Sequence, residues 1–462
     1  MEQSAEATEG QVPVSVYDEA EHGDTLAVFG PEECVEGGDD ARHFHYQPWL
    51  SVVAGGPLWA LAEEVFASIP APNVTPGRSL RKDATERRRL AVFSLLANLT
   101  VLALSPLRYE GLLLSIHRGK GDRYNRAAFS PLLLQNALLA LEFLDVVSVT
   151  WGQTKRTRTE VSLSAGFTAR LQAHGITLAE VTSAGQGETI LLRQRANRGD
   201  ASELVEYADT AMSRRKRAQM EELNTYLSKA DVRLDGQPVE PFHMVRIFLH
   251  GLTAENSALW TKHGRLYRGF HLGLKRGERH RLTIGGEELC DLDWSACFIH
   301  IAYGIAGASF PSGDPYGLPG LAHCRDTVKT IVSALLSRRA SAPGKTLPPF
   351  KLPRGTASSL PDGWNGKRFL QEAKAYHAPI AHLFETPDVW AQTSYTESEM
   401  MLEVLGRLRA EGCAALPCHD GLLCGKSFKP LAVAVMEAVT RERLGQAIPV
   451  TEKPIERPIW LN

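Results

Sequence analysis

The chain has 462 residues, of which 44% are hydrophobic and 23% charged, as is usual for a soluble globular protein with room for about three domains. Its 51 Lys and Arg residues nearly balance its 53 Asp and Glu residues, which excludes a uniformly basic coat for nucleic acid. The seven cysteines include no Cys-x-x-Cys pair, and the longest apolar run, 90–104, is shorter than the roughly 20 residues that cross a membrane. We therefore expect a cytoplasmic protein with no membrane partner.

The first 110 residues divide into a tail and a helical region. Residues 1–42 contain twelve acidic side chains and one basic side chain, a composition typical of a disordered acidic tail. From 43 to 110 the pattern is helical and basic. A turn rich in arginine over 81–89 precedes the apolar run, which we expect to be a buried helix.

Residues 111–235 are predicted to form a winged-helix-like region that binds nucleic acid, followed by a linker helix. Apolar residues recur at helical spacing over 131–147, and two strand-like segments joined by a basic turn follow. Phosphate contacts are expected from the loop before the helix and from the ribbon tip: Arg118, Lys120, Arg123, Arg126, Lys155, Arg156 and Arg158. The same pattern fits a helical hairpin beside a β-ribbon with a solvated basic edge. The basic run 214–217 of the linker helix is expected either to be solvated or to contact a nucleic-acid backbone.

Residues 236–462 have a different organisation, in which short strands alternate with longer helices. The stretch 340–366 is rich in Pro, Gly and Ser, which predicts a long surface loop inserted into this region. Three segments of this half carry residues suited to chemistry.

The first segment places a carboxylate at the end of a strand. Residues 288–294 alternate as a strand does, and Asp293 lies near its end, where a carboxylate can face a cleft. Ser295 is a plausible N-cap for the apolar helix that follows.

The second segment is one amphipathic helix over 324–339. Arg325 and Lys329 lie four residues apart and share a face. Two cations one turn apart repel each other, and a polyanion such as a triphosphate removes that penalty. An Arg and Lys helix face is nevertheless more often solvated than functional.

The third segment, 412–427, places two short apolar runs on either side of a His-Asp-Gly sequence. This pattern predicts a β-hairpin with His419 and Asp420 at the turn. A long helix is expected before it, from about Glu397 to Arg409.

In this order the three segments resemble motifs A, B and C of the family A DNA polymerases, and the single-subunit phage-type RNA polymerases share a similar order. The matching stretches are DWSACFIHIAY (293–303), RDTVKTIVSALLS (325–337) and LPCHDGLL (416–423). GDPYGL (313–318) is similar to the turn that follows motif A, and GRLYRGF (264–270) to the segment that enters the palm. The resemblance covers roughly 260–440, under half of the chain.

The resemblance implies an α+β fold: an N-terminal helical and winged-helix-like region, then over 236–462 a polymerase-like palm with an antiparallel sheet and helices, and reduced fingers. It implies two Mg²⁺ (or Mn²⁺) ions held by Asp293 and Asp420. His419 is then expected to position the primer end or the hairpin. Arg325 and Lys329 are expected on the incoming triphosphate, and Arg265 and Arg281 on the template or the triphosphate.

Three positions depart from the family pattern. Phe298 stands where family A DNA polymerases carry Glu, Ser333 replaces an aromatic residue midway along motif B, and the motif ends in Leu-Leu-Ser instead of Tyr-Gly. These departures predict reduced fingers and leave nucleotide selection open.

The function expected is that of a template-directed nucleotidyltransferase, an enzyme whose partners are nucleic acid and nucleoside triphosphates. Two alternatives remain: a nucleic-acid-binding replication initiator or regulator with a degenerate palm, and a template-independent nucleotidyltransferase. The small size and unusual domain pairing suggest a phage, a plasmid or another mobile element, or a defence system.

Overall fold

The computed structural model describes residues 43–70, 82–114, 123–124, 129–152, 158–183, 185, 187–194, 203–250, 260–339 and 346–455. The fold mixes helices with several mainly antiparallel sheets, as the expected α+β class requires. In this part of the chain no helix is both long enough and apolar enough to span a membrane. The predicted tail 1–42 and the residues Arg118, Lys120, Arg126, Lys155 and Arg156 lie outside the described residues.

The N-terminal elements surround one long buried helix. In chain order they are β1 (His43–His45), β2 (Leu50–Val52), α1 (Pro57–Ser68), α2 (Lys82–Leu104), β3 (Gly111–Leu114), α3 (Pro131–Phe143), β4 (Val147–Thr150), β5 (Thr159–Leu163), α4 (Ala165–Ala173) and β6 (Val181–Ser183). One sheet has the order β1-β3-β5-β4, and β2 pairs with β6. The prediction of a buried helix over the apolar run is confirmed, since every residue from 91 to 102 of α2 is buried.

Polar side chains of α2 explain why its apolar run is interrupted. Asn98 accepts a hydrogen bond from the backbone N–H of Gln47 and donates one to its carbonyl, at 2.7 and 2.9 Å. Ser94 lies 2.8 Å from the hydroxyl of Tyr46. The hydroxyl of Thr100 donates a hydrogen bond to the carbonyl of Leu96, one turn earlier in the same helix. Because buried polar groups need partners, Ser94 and Asn98 therefore bind the β1–β2 loop to the helix.

The second set of elements builds the core in which the candidate site lies. It comprises β7 (Ile190–Gln194), β8 (Glu203–Leu204), α5 (Ala211–Leu227), β9 (Val232–Leu234), β10 (Gln237–Pro238), β11 (Val245–Leu249), β12 (His263–Tyr267), β13 (Leu282–Ile284), β14 (Glu287–Trp294), α6 (Cys297–Ile305), α7 (Arg325–Leu336), α8 (Gly366–Tyr376), α9 (Val389–Ala410), β15 (Ala415–Cys418), β16 (Gly421–Gly425), α10 (Lys429–Leu444) and β17 (Val450–Lys453). A four-stranded sheet has the order β12-β11-β7-β8.

β14 is the central strand of the larger sheet, whose order is β10-β9-β13-β14-β16-β15, with β17 also paired to β14. β16 runs antiparallel along one side of β14. β13 and β17 divide the other side between them. The helices α9 and α10 pack together behind these strands, and their apolar residues share the core with the sheet.

A third cluster of buried residues joins α6, α7, α8 and the short 3₁₀ helix Ala378–Glu385. α6 connects it to the larger core, because Cys297 and Ile301 face the sheet while Ile299 and Tyr303 face α7 and α8. Residues 346–365 of the predicted insertion contain one 3₁₀ turn, Ala357–Ser359. Their apolar side chains pack against this cluster, so this stretch lies on the surface but is anchored to it.

The helix α5 differs from the solvated linker that is one of the two sequence expectations. Lys216 is fully buried and Arg217 nearly so, whereas the neighbouring Arg214 and Arg215 are exposed. Met220, Leu223 and Leu227 of the same helix enter the larger core. Packing of this apolar face turns the middle of the basic run inward, where carboxylates pair with it.

Candidate active site

The site begins with two carboxylates on one strand. Asp291 and Asp293 lie two residues apart on β14, so both side chains point to the same face of the sheet. Asp291 is buried and pairs with Arg279, whose guanidinium is 2.6 Å from its carboxylate. Asp293 lies one residue before the strand ends, as predicted.

The turn after β14 differs from the expected Ser295 cap. α6 begins after Ala296, which has a left-handed backbone with φ of +48°, and no side chain caps the helix. The N–H of Ser295 instead donates to the carbonyl of Pro449, and its carbonyl lies 2.8 Å from Nδ1 of His300. The helix therefore begins two residues after Ser295, which lies in the turn before it.

The predicted hairpin is confirmed. β15 and β16 pair from Ala415 opposite Cys424 to Cys418 opposite Gly421, with His419 and Asp420 as the two turn residues. His419 has a φ of +60°, the left-handed conformation that the first turn position of a tight hairpin requires. A non-glycine residue adopts this conformation at a cost of roughly 1–2 kcal/mol.

The sheet register brings this hairpin turn to the end of β14. Gly421 lies directly opposite Asp293, and the N–H of Trp294 donates to the carbonyl of Asp420 at 3.1 Å. Gly421 is needed here because a Cβ would lie 2.5 Å from the carbonyl oxygen of Leu292 and 3.4 Å from Oδ1 of Asp293. The missing side chain therefore leaves space between the Asp293 carboxylate and the turn that carries Asp420.

The environment of Asp293 disfavours its charge. Burial raises the pKa of its carboxyl to about 7, and the neighbouring Asp420 adds to the shift while Lys453 opposes it. The Oδ1 atom of Asp293 is buried and accepts no hydrogen bond from the described residues. A carboxylate held in this way is costly to ionise, and a bound cation lowers that cost.

Lys453 is a part of the site that the sequence analysis missed. Its Nζ lies 2.5 Å from Oδ2 of Asp293, because β17 pairs with β14 and sets Lys453 opposite Asp291. The residue belongs to no motif, and its position depends on a strand pairing near the end of the described chain.

Arg265 is buried beneath the site. Its guanidinium donates to Glu397 of α9 at 2.6 Å and lies 4.9 Å from the ring centre of Phe298. Burial raises the pKa of the Glu397 carboxyl to about 7, Arg265 opposes the shift and Asp420 adds to it. The sequence predicts a helix that starts at about Glu397. The helix in fact begins at Val389, so Glu397 lies within it. The Arg265–Glu397 pair lies next to the hairpin turn that carries Asp420.

His419 points toward β12. Its ring lies 5.6 Å from the ring of Tyr267, edge to face, and the Tyr267 hydroxyl is 2.8 Å from Nε2 of His263. Burial holds the pKa of His263 well below its usual range, so this imidazole is neutral. The aromatic contacts fix the His419 ring beside Asp420.

The two cations of α7 lie on one exposed face of that helix. Arg325 is half exposed and makes two hydrogen bonds to Asp314 at 2.6 and 2.9 Å, and Lys329 is exposed. In the described part of the chain, Arg325 pairs with Asp314 instead of with Asp293 or Asp420. The structure therefore keeps them on one helix face without bringing them into contact with the carboxylates.

The other predicted cations also have acidic partners or lie elsewhere. Arg281 donates to both oxygens of Asp235 in the β9–β10 turn, while Arg279 is the residue that reaches β14. Arg123 contacts Glu188 and Asp209, and it faces inward rather than into solvent. Arg158 is exposed, with one guanidinium nitrogen 3.3 Å from Nδ1 of His45.

The described residues contain no group of three or more His, Cys, Asp or Glu side chains placed to hold a metal ion. What they offer is a pair of carboxylates, Asp293 and Asp420, with one orphaned buried oxygen. These are hard oxygen donors of the type that Mg²⁺ and Mn²⁺ bind, so the residues present fit such an ion.

Comparison with known proteins gives little more. No protein-family model matches the chain, and no curated protein matches it. Among solved structures, the chain is similar to the POL domain of Pol1 from M. smegmatis, in complex with a DNA primer-template and dNTP. That match has 11% identity and a TM-score of 0.29, and it covers 52% of this chain and 50% of that one. A likeness this weak supports no conclusion about function. The function proposed for the chain is therefore argued from the site alone.

Proposed function

We propose that the chain is a template-directed nucleotidyltransferase in which Asp293 and Asp420 hold divalent cations. The observation that carries the proposal is the meeting of these two carboxylates at one end of β14 and β16, with Oδ1 of Asp293 buried and unsatisfied. A largely buried carboxylate that faces a second one is unfavourable in a scaffold, because the charge of Asp420 raises the cost of ionising Asp293.

The ions proposed are Mg²⁺, or Mn²⁺, with Asp293 and Asp420 as the side chains that hold them. When bound, such ions stabilise the charge that develops on the attacking and leaving oxygens of a phosphoryl transfer. In that reaction the primer 3′-oxygen bonds to the α-phosphorus of the nucleotide, the bond to the β-phosphate oxygen breaks, and pyrophosphate leaves. The proton of the 3′-hydroxyl passes to solvent or to a nearby base.

The roles of the remaining side chains follow from their positions. His419, fixed against Tyr267 beside Asp420, is proposed to position the primer end. Arg325 and Lys329 are proposed to bind the triphosphate, which requires Arg325 to exchange its exposed pair with Asp314 for a phosphate. Arg265 is proposed to shape the floor of the site through Glu397 and Phe298.

The N-terminal elements are proposed to bind nucleic acid as a winged-helix-like region. α3, β4 and β5 follow one another as a helix and a two-stranded ribbon, and Arg158 stands at the base of the ribbon turn. Because the net charge of the chain is only −2, binding through such a local basic surface should weaken steeply with salt.

Nucleotide incorporation tests the proposal. Labelled dNTPs and NTPs are supplied separately with Mg²⁺ or Mn²⁺, with and without primer–template, to wild type, Asp293→Asn and Asp420→Asn. Asp231→Asn is the matched control, because Asp231 is an exposed acid just before β9 that pairs with Arg233 at 2.8 Å. Incorporation that is lost in both site variants and kept in the control supports the proposal, and its dependence on template separates a polymerase from a template-independent transferase.

A second candidate function is nucleic-acid binding by a chain whose palm is only a scaffold. The observation that favours it is Lys453, whose ammonium already neutralises Asp293 from within the chain. This alternative predicts nucleic-acid binding of equal strength in wild type and both site variants, with no incorporation in any of them.

A further inference from the structure

The last described strand supplies a cation to the candidate site from within the chain. β17 runs antiparallel to β14, with Thr451 opposite Asp293 and Lys453 opposite Asp291. The Nζ atom of Lys453 lies 2.5 Å from Oδ2 of Asp293, while Oδ1 of the same carboxylate is buried and has no hydrogen-bond partner in the part of the chain that the structure describes. One oxygen of Asp293 is therefore held by an ammonium and the other is unsatisfied.

The charges around this contact leave room for one more cation. Asp291, Asp293 and Asp420 contribute three negative charges, and Arg279 is committed to Asp291. With Lys453 in place the group has a formal charge of −1. If the ammonium moves away, the charge becomes −2, which a single divalent ion neutralises.

The Lys453 side chain is able to move away. It is 43% exposed, whereas that of Asp293 is 13% exposed. A four-carbon stem that is half in solvent has rotamers that carry its ammonium into water, and Lys is strongly hydrated there. Asp293, in contrast, is fixed on the central strand of the sheet.

We propose that Lys453 is a positioning residue that holds the Asp293 carboxylate until a divalent cation arrives and competes with that cation for Oδ2. The inference rests on the proposed function, since it takes Asp293 to be a cation ligand. The inference also gives β17 a role: through Lys453, this strand sets how tightly the two carboxylates hold their ion.

The test is the affinity of the full-length chain for Mn²⁺ alone, measured from the loss of the free Mn²⁺ signal in electron paramagnetic resonance. Lys453→Gln should bind Mn²⁺ about tenfold more tightly than wild type, the order expected for removing a unit charge next to the ligand in a partly hydrated site. Lys453→Arg keeps the charge and should bind as wild type does. Adding Asp293→Asn to Lys453→Gln should abolish the gain.

Lys429→Gln is the matched control. Lys429 pairs with Glu452 of the same strand, one residue from Lys453, so its removal disturbs β17 without touching Asp293. Its Mn²⁺ affinity should equal that of wild type. Lys453→Met, which keeps the apolar stem, repeats the experiment if the Gln variant does not fold.

A second readout separates competition from simple support of the fold. Without Mn²⁺, Lys453→Gln should melt at a lower temperature than wild type, and saturating Mn²⁺ should remove the difference. Mn²⁺ affinity that stays equal to wild type or falls in Lys453→Gln, or in Lys453→Met, while binding still depends on Asp293, overturns the inference and leaves the proposed function intact. Binding that does not depend on Asp293 in any variant overturns both.

Discussion

Two groups of charged side chains, each with one fully buried carboxylate, have opposite electrostatic balances. The first, the paired cluster, consists of Arg123, Glu188, Asp209 and Arg217. Arg217 contacts both oxygens of Glu188, at 2.9 and 3.3 Å, and reaches Asp209 at 2.9 Å. Hydrogen bonding to Arg217 holds the pKa of Asp209 below its usual range. Two cations here match two anions.

The second group, the carboxylate cluster, consists of Asp291, Asp293, Asp420 and Lys453, with Arg279 at its edge. Here burial dominates, so the pKa of Asp293 is raised rather than lowered. Each group contains one fully buried carboxylate, Glu188 in the paired cluster and Asp291 in the carboxylate cluster. The Asp209 side chain is 39% exposed and that of Asp293 is 13% exposed. The comparison teaches that the number of partners, together with burial, decides whether a carboxylate stabilises the fold or is kept at a cost for a ligand.

The largest expected effect breaks the carboxylate cluster. Asp293→Ala and Asp420→Ala should each lower single-turnover nucleotide incorporation by about a thousandfold or more, because the cations that stabilise the reacting oxygens lose a ligand. Quenched-flow measurement with wild type and Asp231→Ala in parallel checks this. If a variant keeps a tenth of the wild-type rate, the replaced aspartate is not a ligand of the proposed catalytic cations.

Breaking the paired cluster should act on stability. Arg217→Ala leaves Glu188 buried without its main partner, so the free energy of unfolding should fall by about 3–5 kcal/mol. Thermal melts compared with Arg214→Ala, an exposed arginine of the same helix, measure the loss. Equal melting temperatures for the two variants would show that the paired cluster does not stabilise the fold.

The pH dependence of stability sharpens the contrast. Because the pKa of Asp293 in the fold, about 7, lies above its value in the unfolded chain, the group's contribution is full at low pH and is lost as the pH rises from about 4 to 7. Asp293→Asn stays neutral, so its advantage over wild type should grow across this range to about 1–3 kcal/mol and then level off. Melts of both proteins at pH 4.5, 6 and 8 without divalent ions check the sign. An advantage that shrinks with rising pH would contradict it.

The smallest effect concerns the exposed pair on α7. Arg325→Ala should change the free energy of unfolding by less than about 1 kcal/mol, because the Asp314 pair is solvated. It should nevertheless raise the KM for the nucleotide by about tenfold if the triphosphate takes the guanidinium. Steady-state kinetics beside a melt distinguish the two roles, and an unchanged KM would exclude Arg325 from nucleotide binding.

The sequence predicted the parts of the site that depend on local pattern. Alternation placed Asp293 near the end of a strand, the His-Asp-Gly sequence placed Asp420 in a hairpin turn, and helical spacing placed Arg325 and Lys329 on one face. Each of these follows from residues that are close in sequence, and the helix or strand period determines them.

The parts that were missed depend on contacts between distant segments. Lys453 reaches Asp293 only because β17 pairs with β14 across 160 residues of chain, and Glu397 meets Arg265 only because α9 packs on β12. Lys216 and Arg217 turned inward because apolar residues of the same helix joined the core. No local signal marks such residues, since a lysine near the end of a chain or in a charged helix is usually solvated.

The central claim is that Asp293 and Asp420 share a divalent cation, and diffraction from crystals of the full chain soaked in Mn²⁺ with a non-hydrolysable nucleoside triphosphate tests it most directly. The account predicts an anomalous peak at about 2.2 Å from a carboxylate oxygen of each residue, with Lys453 turned away from Oδ2. Saturating Mn²⁺ with no anomalous peak between the two carboxylates, and with Lys453 still on Asp293, would contradict it.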